Sequence, residues 1–174
     1  MKKRLLILTM ATLLLALLLG QLNHYLAVWQ IHVWCGGLFV AFAALRLGYS
    51  TGASAAFISG LLLDAGEPVA FGTQAFLFLA AHAFIYKIRA RAPRGETVVG
   101  VVVALIANLA LFLALSFIRI DPAVDTARAW LRVFADLLVS QITIALIAPW
   151  FFAVQTRLLE LSGNPLRDIS RRAL

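Results

Sequence analysis

Residues 48–64 read GYSTGASAAFISGLLLD, a stretch that places small residues at every fourth position and then ends on a carboxylate. The chain around it is strongly apolar, since 63% of its 174 residues are hydrophobic and 13% are charged. Soluble domains carry about a quarter charged residues. The composition therefore indicates that lipid is the main solvent of this protein, and that the stretch is one helix of a membrane protein.

Six apolar segments are candidates for membrane-spanning helices, because a span needs about 20 apolar residues at roughly 1.5 Å each. The first follows three basic residues, as a signal peptide would, but no small-residue cleavage site follows it and further apolar runs do. The chain is thus predicted to be an all-α, integral membrane six-helix bundle that forms one transmembrane domain over residues 1–174. The predicted spans are residues 5–22, 28–47, 51–63, 69–86, 98–118 and 130–154.

The basic residues are distributed unevenly between the predicted loops. With the N-terminus inside, twelve of the 15 Lys and Arg residues fall on the cytoplasmic side. Cytoplasmic loops of membrane proteins carry such an excess. We therefore predict that both termini are cytoplasmic, and that a basic tail follows the last span at residues 155–174.

The net charge of +7 has the same explanation. Its densest part is the predicted cytoplasmic loop after span four, which contains Lys87, Arg89, Arg91 and Arg94. We interpret this loop as lying near anionic lipid headgroups, with a specific contact to a cytoplasmic partner as the alternative. No nucleic acid partner is expected, because the run is short and has no interleaved aromatic residues.

A face of small residues runs along span three. In lipid, close backbone approach drives helix association, and small residues at four-residue spacing permit that approach. Gly52, Ala56 and Gly60 form such a face, whereas Gly48 is predicted to precede the helix. The face predicts a helix-packing or partner interface.

An acidic turn follows this face. Asp64 marks the predicted outer end of span three, and Pro68 cannot continue the helix. Gly72 follows, with Ala75 one turn later on span four. Two short glycine-bearing segments around an acidic residue predict a packed bundle core. The alternative is generic close packing with a solvated carboxylate at Asp64.

Few polar side chains interrupt the predicted spans. His82 is interpreted as a hydrogen-bonded packing residue, and Asn108 and Gln141 as interhelical hydrogen-bonding residues. Asp136 is expected to pair with Arg132, one helical turn away.

Catalytic and metal-binding motifs are missing from the sequence. It contains no HExxH, GxSxG, CxxC or GK[ST] motif. His24 and His32 lie in the first outer loop, HYLAVWQIHVW, without Cys or carboxylate ligands beside them, and the aromatic residues of that loop are typical of interface anchors. Cys35 has no second cysteine with which to form a disulfide. We expect no enzyme activity, no metal and no cofactor.

Residues 48–94, GYSTGASAAFISGLLLDAGEPVAFGTQAFLFLAAHAFIYKIRARAPR, resemble the central segment of the rod-shape-determining MreD family. That family has a short glycine-rich helix that runs into G-L-x-x-D, a short turn, then a glycine, an apolar helix and a basic cytoplasmic loop. Here these features are Gly60, Leu61 and Asp64, then Gly72, then the basic loop. One departure is the first outer loop, QLNHYLAVWQ, which lacks the proline that family members often carry.

The resemblance implies a non-catalytic, multi-pass subunit of the cell-elongation (rod) complex in the bacterial inner membrane. Such a subunit binds an MreC-like bitopic partner and, with it, influences the rod-complex glycosyltransferase and transpeptidase that synthesise peptidoglycan, alongside the actin-like cytoskeletal protein. The family is also similar in fold to the vitamin-binding subunits of energy-coupling-factor transporters. A vitamin-binding subunit is therefore the alternative function.

Overall fold

The computed structural model describes residues 2–89, 97–119 and 126–161, and these ranges are helical apart from their turns and connecting segments. A 3₁₀ turn, Ala27–Trp29, follows the first helix. The prediction of an all-α chain is confirmed for this part of the molecule. Its α-helices are α1 (Lys2–Leu26), α2 (Gly36–Arg46), α3 (Tyr49–Asp64), α4 (Thr73–Ile88), α5 (Thr97–Arg119) and α6 (Thr126–Leu161).

Among the described residues, three helical segments are long and apolar enough to cross a membrane: Leu5–Trp29, Val98–Arg119 and Ala127–Leu161. The helices α2 and α4 are apolar but shorter. At about 1.5 Å per residue, the 16 residues of α3 extend roughly 24 Å, less than the hydrocarbon thickness. The chain thus has the helices of a membrane protein, while the six-span bundle and the cytoplasmic termini remain predictions.

The second predicted span contains a much shorter helix than expected. Its helix, α2, has 11 residues and begins only at Gly36, after the irregular segment at residues 30–35. Irregular backbone is tolerated at membrane depth only where it is buried in protein, because lipid offers it no hydrogen bonds. Side chains from elsewhere in the chain are therefore expected to form hydrogen bonds with the backbone of this segment.

The short helix α2 lies at the centre of the bundle. Every residue of Gly36–Ala44 is buried, and Leu38 and Val40 have no exposed surface. The ring of Phe42 packs edge to face with Phe152 of α6 at 5.4 Å between centroids. A Cβ atom at Gly37 would overlap the backbone of Asn108 on α5, so α2 and α5 approach very closely there. A helix that is apolar all round is a buried helix.

The last helix is longer than the predicted span at residues 130–154. It begins at Thr126, so Arg128 and Arg132 belong to its first turns. Pro149 lies within α6 without ending it. The helix also includes residues 155–161 of the predicted basic tail, whereas residues 162–174 lie outside the described residues. At roughly 1.5 Å per residue, α6 extends about 54 Å and so exceeds the hydrocarbon thickness.

Candidate functional site

The carboxylate of Asp64 connects α3 to α4. Asp64 is the last residue of α3 and is only 4% exposed. Its Oδ1 accepts the backbone N–H of Gln74 at 2.9 Å, and its Oδ2 accepts those of Gly72 at 2.9 Å and Ala75 at 3.3 Å. The first N–H groups of a helix have no partner within it and form its positive end. Asp64 therefore caps α4, and backbone dipoles compensate its buried charge.

Gly72 makes this cap possible. It immediately precedes α4, is buried, and has φ = 98°, in the left-handed region. A side chain at such a φ is strained, whereas glycine adopts it readily. The conformation directs the Gly72 N–H toward Asp64. The helix of the fourth predicted span begins at Thr73 rather than residue 69, because residues 69–72 form the turn that leads to this cap.

The small face of α3 packs against the protein's own helices. A Cβ atom at Gly60 would overlap the backbone of Ala75 on α4, and one at Gly52 would overlap His82 on α4 and lie 2.6 Å from the carbonyl oxygen of Ala43 on α2. Ala56, between them, has no exposed surface. The predicted interface residues are thus brought together in the α3–α4 hairpin, where α2 and α4 cover the face.

Arg89 makes a comparable cap at the opposite end of the hairpin. Its Nη1 donates to the carbonyl oxygens of Ala44 at 2.8 Å and Leu47 at 2.7 Å, where α2 ends. Its guanidinium lies 3.7 Å from the centroid of the Tyr86 ring. Cations are favourable at the carbonyl end of a helix. Arg89 therefore holds α4 to α2, a role beyond the predicted contact with headgroups.

The other members of the predicted basic loop are placed differently. Lys87 is exposed in the last turn of α4, while Arg91 and Arg94 lie outside the described residues. The interpretation of this loop as a headgroup contact stays a prediction for Lys87, Arg91 and Arg94.

The irregular segment at residues 30–35 is held by side chains of α1 and α6. Asn23 of α1 accepts the N–H of Val33 at 2.8 Å and donates to its carbonyl at 2.9 Å. Ser140 of α6 accepts the N–H of Trp34 at 3.0 Å. These bonds replace the helical hydrogen bonds that the segment lacks, as buried backbone groups require.

Trp34 is a core residue rather than an interface anchor. It is 4% exposed, and its Nε1–H donates to Oε1 of Gln74 at 3.1 Å. Its ring packs edge to face against Phe78 and Phe112. Gln74 thus contacts Trp34 with its side chain and Asp64 with its backbone, and this links the irregular segment to the hairpin.

Two interhelical hydrogen bonds agree with the predictions. Asn108 Oδ1 accepts the N–H of Gly37 at 3.2 Å, and Gln141 Nε2 donates to the carbonyl of Leu105 at 3.1 Å. The roles of Asn108 and Gln141 are therefore confirmed.

Two other polar residues differ from the predictions. Asp136 accepts the backbone N–H of His32 at 2.9 Å, and Arg132 donates to Oε1 of Gln30 instead of pairing with Asp136. His82 is fully buried, but among the described residues neither of its ring nitrogens has a hydrogen-bond partner. Its ring lies against that of Tyr49, 5.6 Å away between centroids.

A charged cleft of about 1130 Å³ opens beside the acidic turn, between the end of α5 and the start of α6. Within it, Glu67 and Arg119 form an ion pair at 2.8 Å, and His32 Nε2 lies 3.6 Å from Glu67. The charged and titratable residues that line it are His32, Glu67, Arg119, Arg128, Arg132 and Asp136. We call this the Arg119 cleft. Apart from their positions next to predicted outer loops, nothing in the sequence indicated that these residues meet.

The described residues contain no group of three or more His, Cys, Asp and Glu side chains that could hold a metal ion. Comparison of the chain with family models, with curated proteins and with solved structures finds no match.

Proposed function

We propose that this chain is a non-catalytic membrane subunit of the bacterial cell-elongation complex, as the resemblance of residues 48–94 to the MreD family implies. In this role it lies in the inner membrane, binds an MreC-like bitopic protein and helps to regulate peptidoglycan synthesis and cell shape. The three helical segments of spanning length support a membrane location.

The observation that carries the proposal is the closed α3–α4 hairpin. The motif residues Gly60, Asp64 and Gly72 are all buried, and each has a packing or capping role inside the chain. Because the motif residues pack and cap within the chain, they fix the internal structure of the hairpin and make it rigid. A rigid body that binds partners through its outer surface needs such preorganisation, because ordering on binding would reduce affinity.

The packed interior also supports a scaffold. Leu38, Phe42 and Phe78 are at most 1% exposed and fill the space around α2. Since α2 and α4 cover the small face of α3, the partner contact in this proposal lies on the outward surface of the bundle. That placement moves the proposed interface away from Gly52, Ala56 and Gly60.

The test is co-purification of the full chain with the MreC-like protein of the same genome. Gly60→Leu introduces a side chain into the backbone of Ala75, so it should disrupt the hairpin and abolish co-purification. Gly48→Ala is the matched control, because a Cβ atom there meets no other group within 4 Å. Failure of the wild-type chain to bind the partner, with normal rod shape after depletion of the chain, would contradict the proposal.

A vitamin-binding transporter subunit is the second candidate, and the Arg119 cleft is the observation that favours it. Such a subunit would carry a small molecule through purification. Mass spectrometry of the extracted protein would detect a stoichiometric vitamin under this alternative and none under the scaffold proposal.

A further inference from the structure

The helix α1 buries one face and leaves the opposite face uncovered. Leu8, Thr12 and Leu19 are buried against the bundle, and the Thr12 hydroxyl accepts a hydrogen bond from Ser59 of α3 at 3.3 Å. Of the three segments of spanning length, the one that contains α1 has the smallest buried share. The uncovered face of α1 therefore meets whatever surrounds the bundle in the membrane.

The uncovered face has the residue spacing of a contact between two helices. Met10, Leu14, Leu17 and Gln21 are exposed and follow one another at intervals of four, three and four residues. At 3.6 residues per turn, these positions lie within roughly 60° of one another around the helix, and Thr12 lies on the opposite side. Intervals that alternate between four and three are those of two helices that wind around each other. We call these four residues the α1 stripe.

Gln21 is the polar member of the α1 stripe and lies at membrane depth. The apolar segment Leu5–Trp29 has 25 residues, and about 20 residues cross the hydrocarbon, so residues 10–24 lie inside it wherever the crossing part begins. Within the described part of the chain, the exposed Gln21 amide forms no hydrogen bond with another residue. An amide in hydrocarbon without a partner is costly. Gln21 thus favours contact with a polar group from outside the chain.

The exposed faces of the other two long helices are apolar through their middle. The helix α5 exposes Val102, Ile106 and Leu109, and α6 exposes Leu138 and Ile142. Lipid tails cover such faces without loss, because they are as apolar as the side chains. The α1 stripe differs from these faces by its amide, which lipid tails cannot satisfy.

We propose that the α1 stripe binds the α1 stripe of a second copy of this chain. Two copies inserted in the same direction hold their α1 helices parallel, so a twofold axis along the membrane normal brings Gln21 opposite Gln21 at one depth. A carboxamide both donates and accepts, so the two side chains satisfy each other. A single polar residue in such a contact also fixes the register of the pair. This inference goes beyond the proposed function and does not depend on it.

Cysteine crosslinking of the purified full chain in liposomes tests the contact. The wild type gives the baseline, because its one cysteine, Cys35, is buried. With copper phenanthroline as oxidant, Leu17→Cys should form a disulfide-linked dimer at least about tenfold faster than Ile106→Cys, because a disulfide needs Cα atoms about 6 Å apart. Ile106→Cys is the matched control, since Leu17 and Ile106 are both 62% exposed. Equal rates, or no crosslink at Leu17→Cys, would overturn the proposal.

Energy transfer between labelled copies, measured as the protein is diluted in lipid, tests the amide. Gln21→Leu should weaken the dimer about three- to tenfold, the equivalent of one interhelical hydrogen bond. Gln21→Asn keeps an amide and should retain most of the affinity. Neither substitution removes a hydrogen bond within the described part of the chain, so both variants should unfold as the wild type does. A dimer of Gln21→Leu as tight as that of the wild type would overturn the pairing of the two amides.

The same variants separate this inference from the proposed function. The purified wild-type chain should form the dimer by itself, whether or not the bitopic protein co-purifies with it. A chain that is monomeric alone but crosslinks through Leu17→Cys to the bitopic protein would overturn the proposal and assign the α1 stripe to that partner.

Discussion

The two caps of the α3–α4 hairpin use opposite charges for the same purpose and differ in burial. Asp64 caps the N-terminus of α4, is 4% exposed and accepts three backbone N–H groups. Arg89 caps the carbonyl end of α2, is partly exposed and donates to two carbonyl groups. The Arg89 side chain is partly exposed, so solvent screens its charge, whereas Asp64 is almost fully enclosed by protein. We therefore expect the contribution of a charged cap to depend more on its burial than on the number of bonds it makes.

The largest effect is expected for Asp64→Ala. The variant leaves three buried N–H groups without an acceptor, and each such group costs about 1–3 kcal/mol. We expect the free energy of unfolding to fall by about 3–5 kcal/mol. Unfolding by titration with a denaturing detergent, starting from a mild one, measures this change. A loss below about 1 kcal/mol would show that water reaches the cap.

Asp64→Asn separates charge from hydrogen bonding at the same position. The amide retains one acceptor oxygen, but its NH₂ group faces a backbone N–H. The expected loss is about half that of Asp64→Ala, in the same assay. A variant as stable as the wild type would mean that the negative charge contributes nothing, contrary to a compensated buried carboxylate.

Gly60→Ala tests the close approach that brings α4 under Asp64. Its added Cβ overlaps the backbone of Ala75, which cannot move without displacing the cap. Overpacking of this kind costs about 1–3 kcal/mol. Gly48→Ala should change stability by less than about 0.5 kcal/mol, because the site is open. Equal effects of the two substitutions would contradict the packing of the small face against α4.

Arg89→Gln should cost less than any change at Asp64. Because Arg89 is partly exposed, solvent screens its charge, and the substitution removes a screened interaction of the cation with the helix end and with Tyr86. We expect a loss of about 1–2 kcal/mol. A loss as large as that of Asp64→Ala would show that Arg89 is as deeply shielded from water as Asp64.

The smallest effect is expected for the ion pair between Glu67 and Arg119 in the Arg119 cleft. Its partners are 13% and 30% exposed, and such pairs contribute about 0–1 kcal/mol. A double-mutant cycle with Glu67→Gln and Arg119→Gln measures the coupling, which should decrease as salt is added. A coupling above about 2 kcal/mol would indicate that the pair is fully desolvated.

Much of the helical layout was predictable from local pattern. The short third helix was predicted at residues 51–63 and is Tyr49–Asp64, and the fifth was predicted at residues 98–118 and is Thr97–Arg119. Apolar runs and their polar ends define such helices, because each forms its hydrogen bonds within a single segment. The importance of Asp64 was also visible, since a carboxylate at the end of a small-residue face is unusual in an apolar chain.

The late start of α2 and the burial of Trp34 were not predictable in the same way. Residues 28–47 form one apolar run, and only the tertiary structure shows that Asn23 and Ser140 supply hydrogen bonds to residues 33 and 34. Ser140 lies more than one hundred residues from Trp34 in the chain. No local pattern reports such a partner.

The sequence by itself determined the solvent of this protein, its helical class and the position of its acidic turn, because composition and apolar period act within a segment. The tertiary structure decided which segments become regular helices and where the charges of the caps and of the Arg119 cleft meet. Those outcomes depend on whether distant side chains can satisfy buried backbone groups. That condition is met only after the helices have packed.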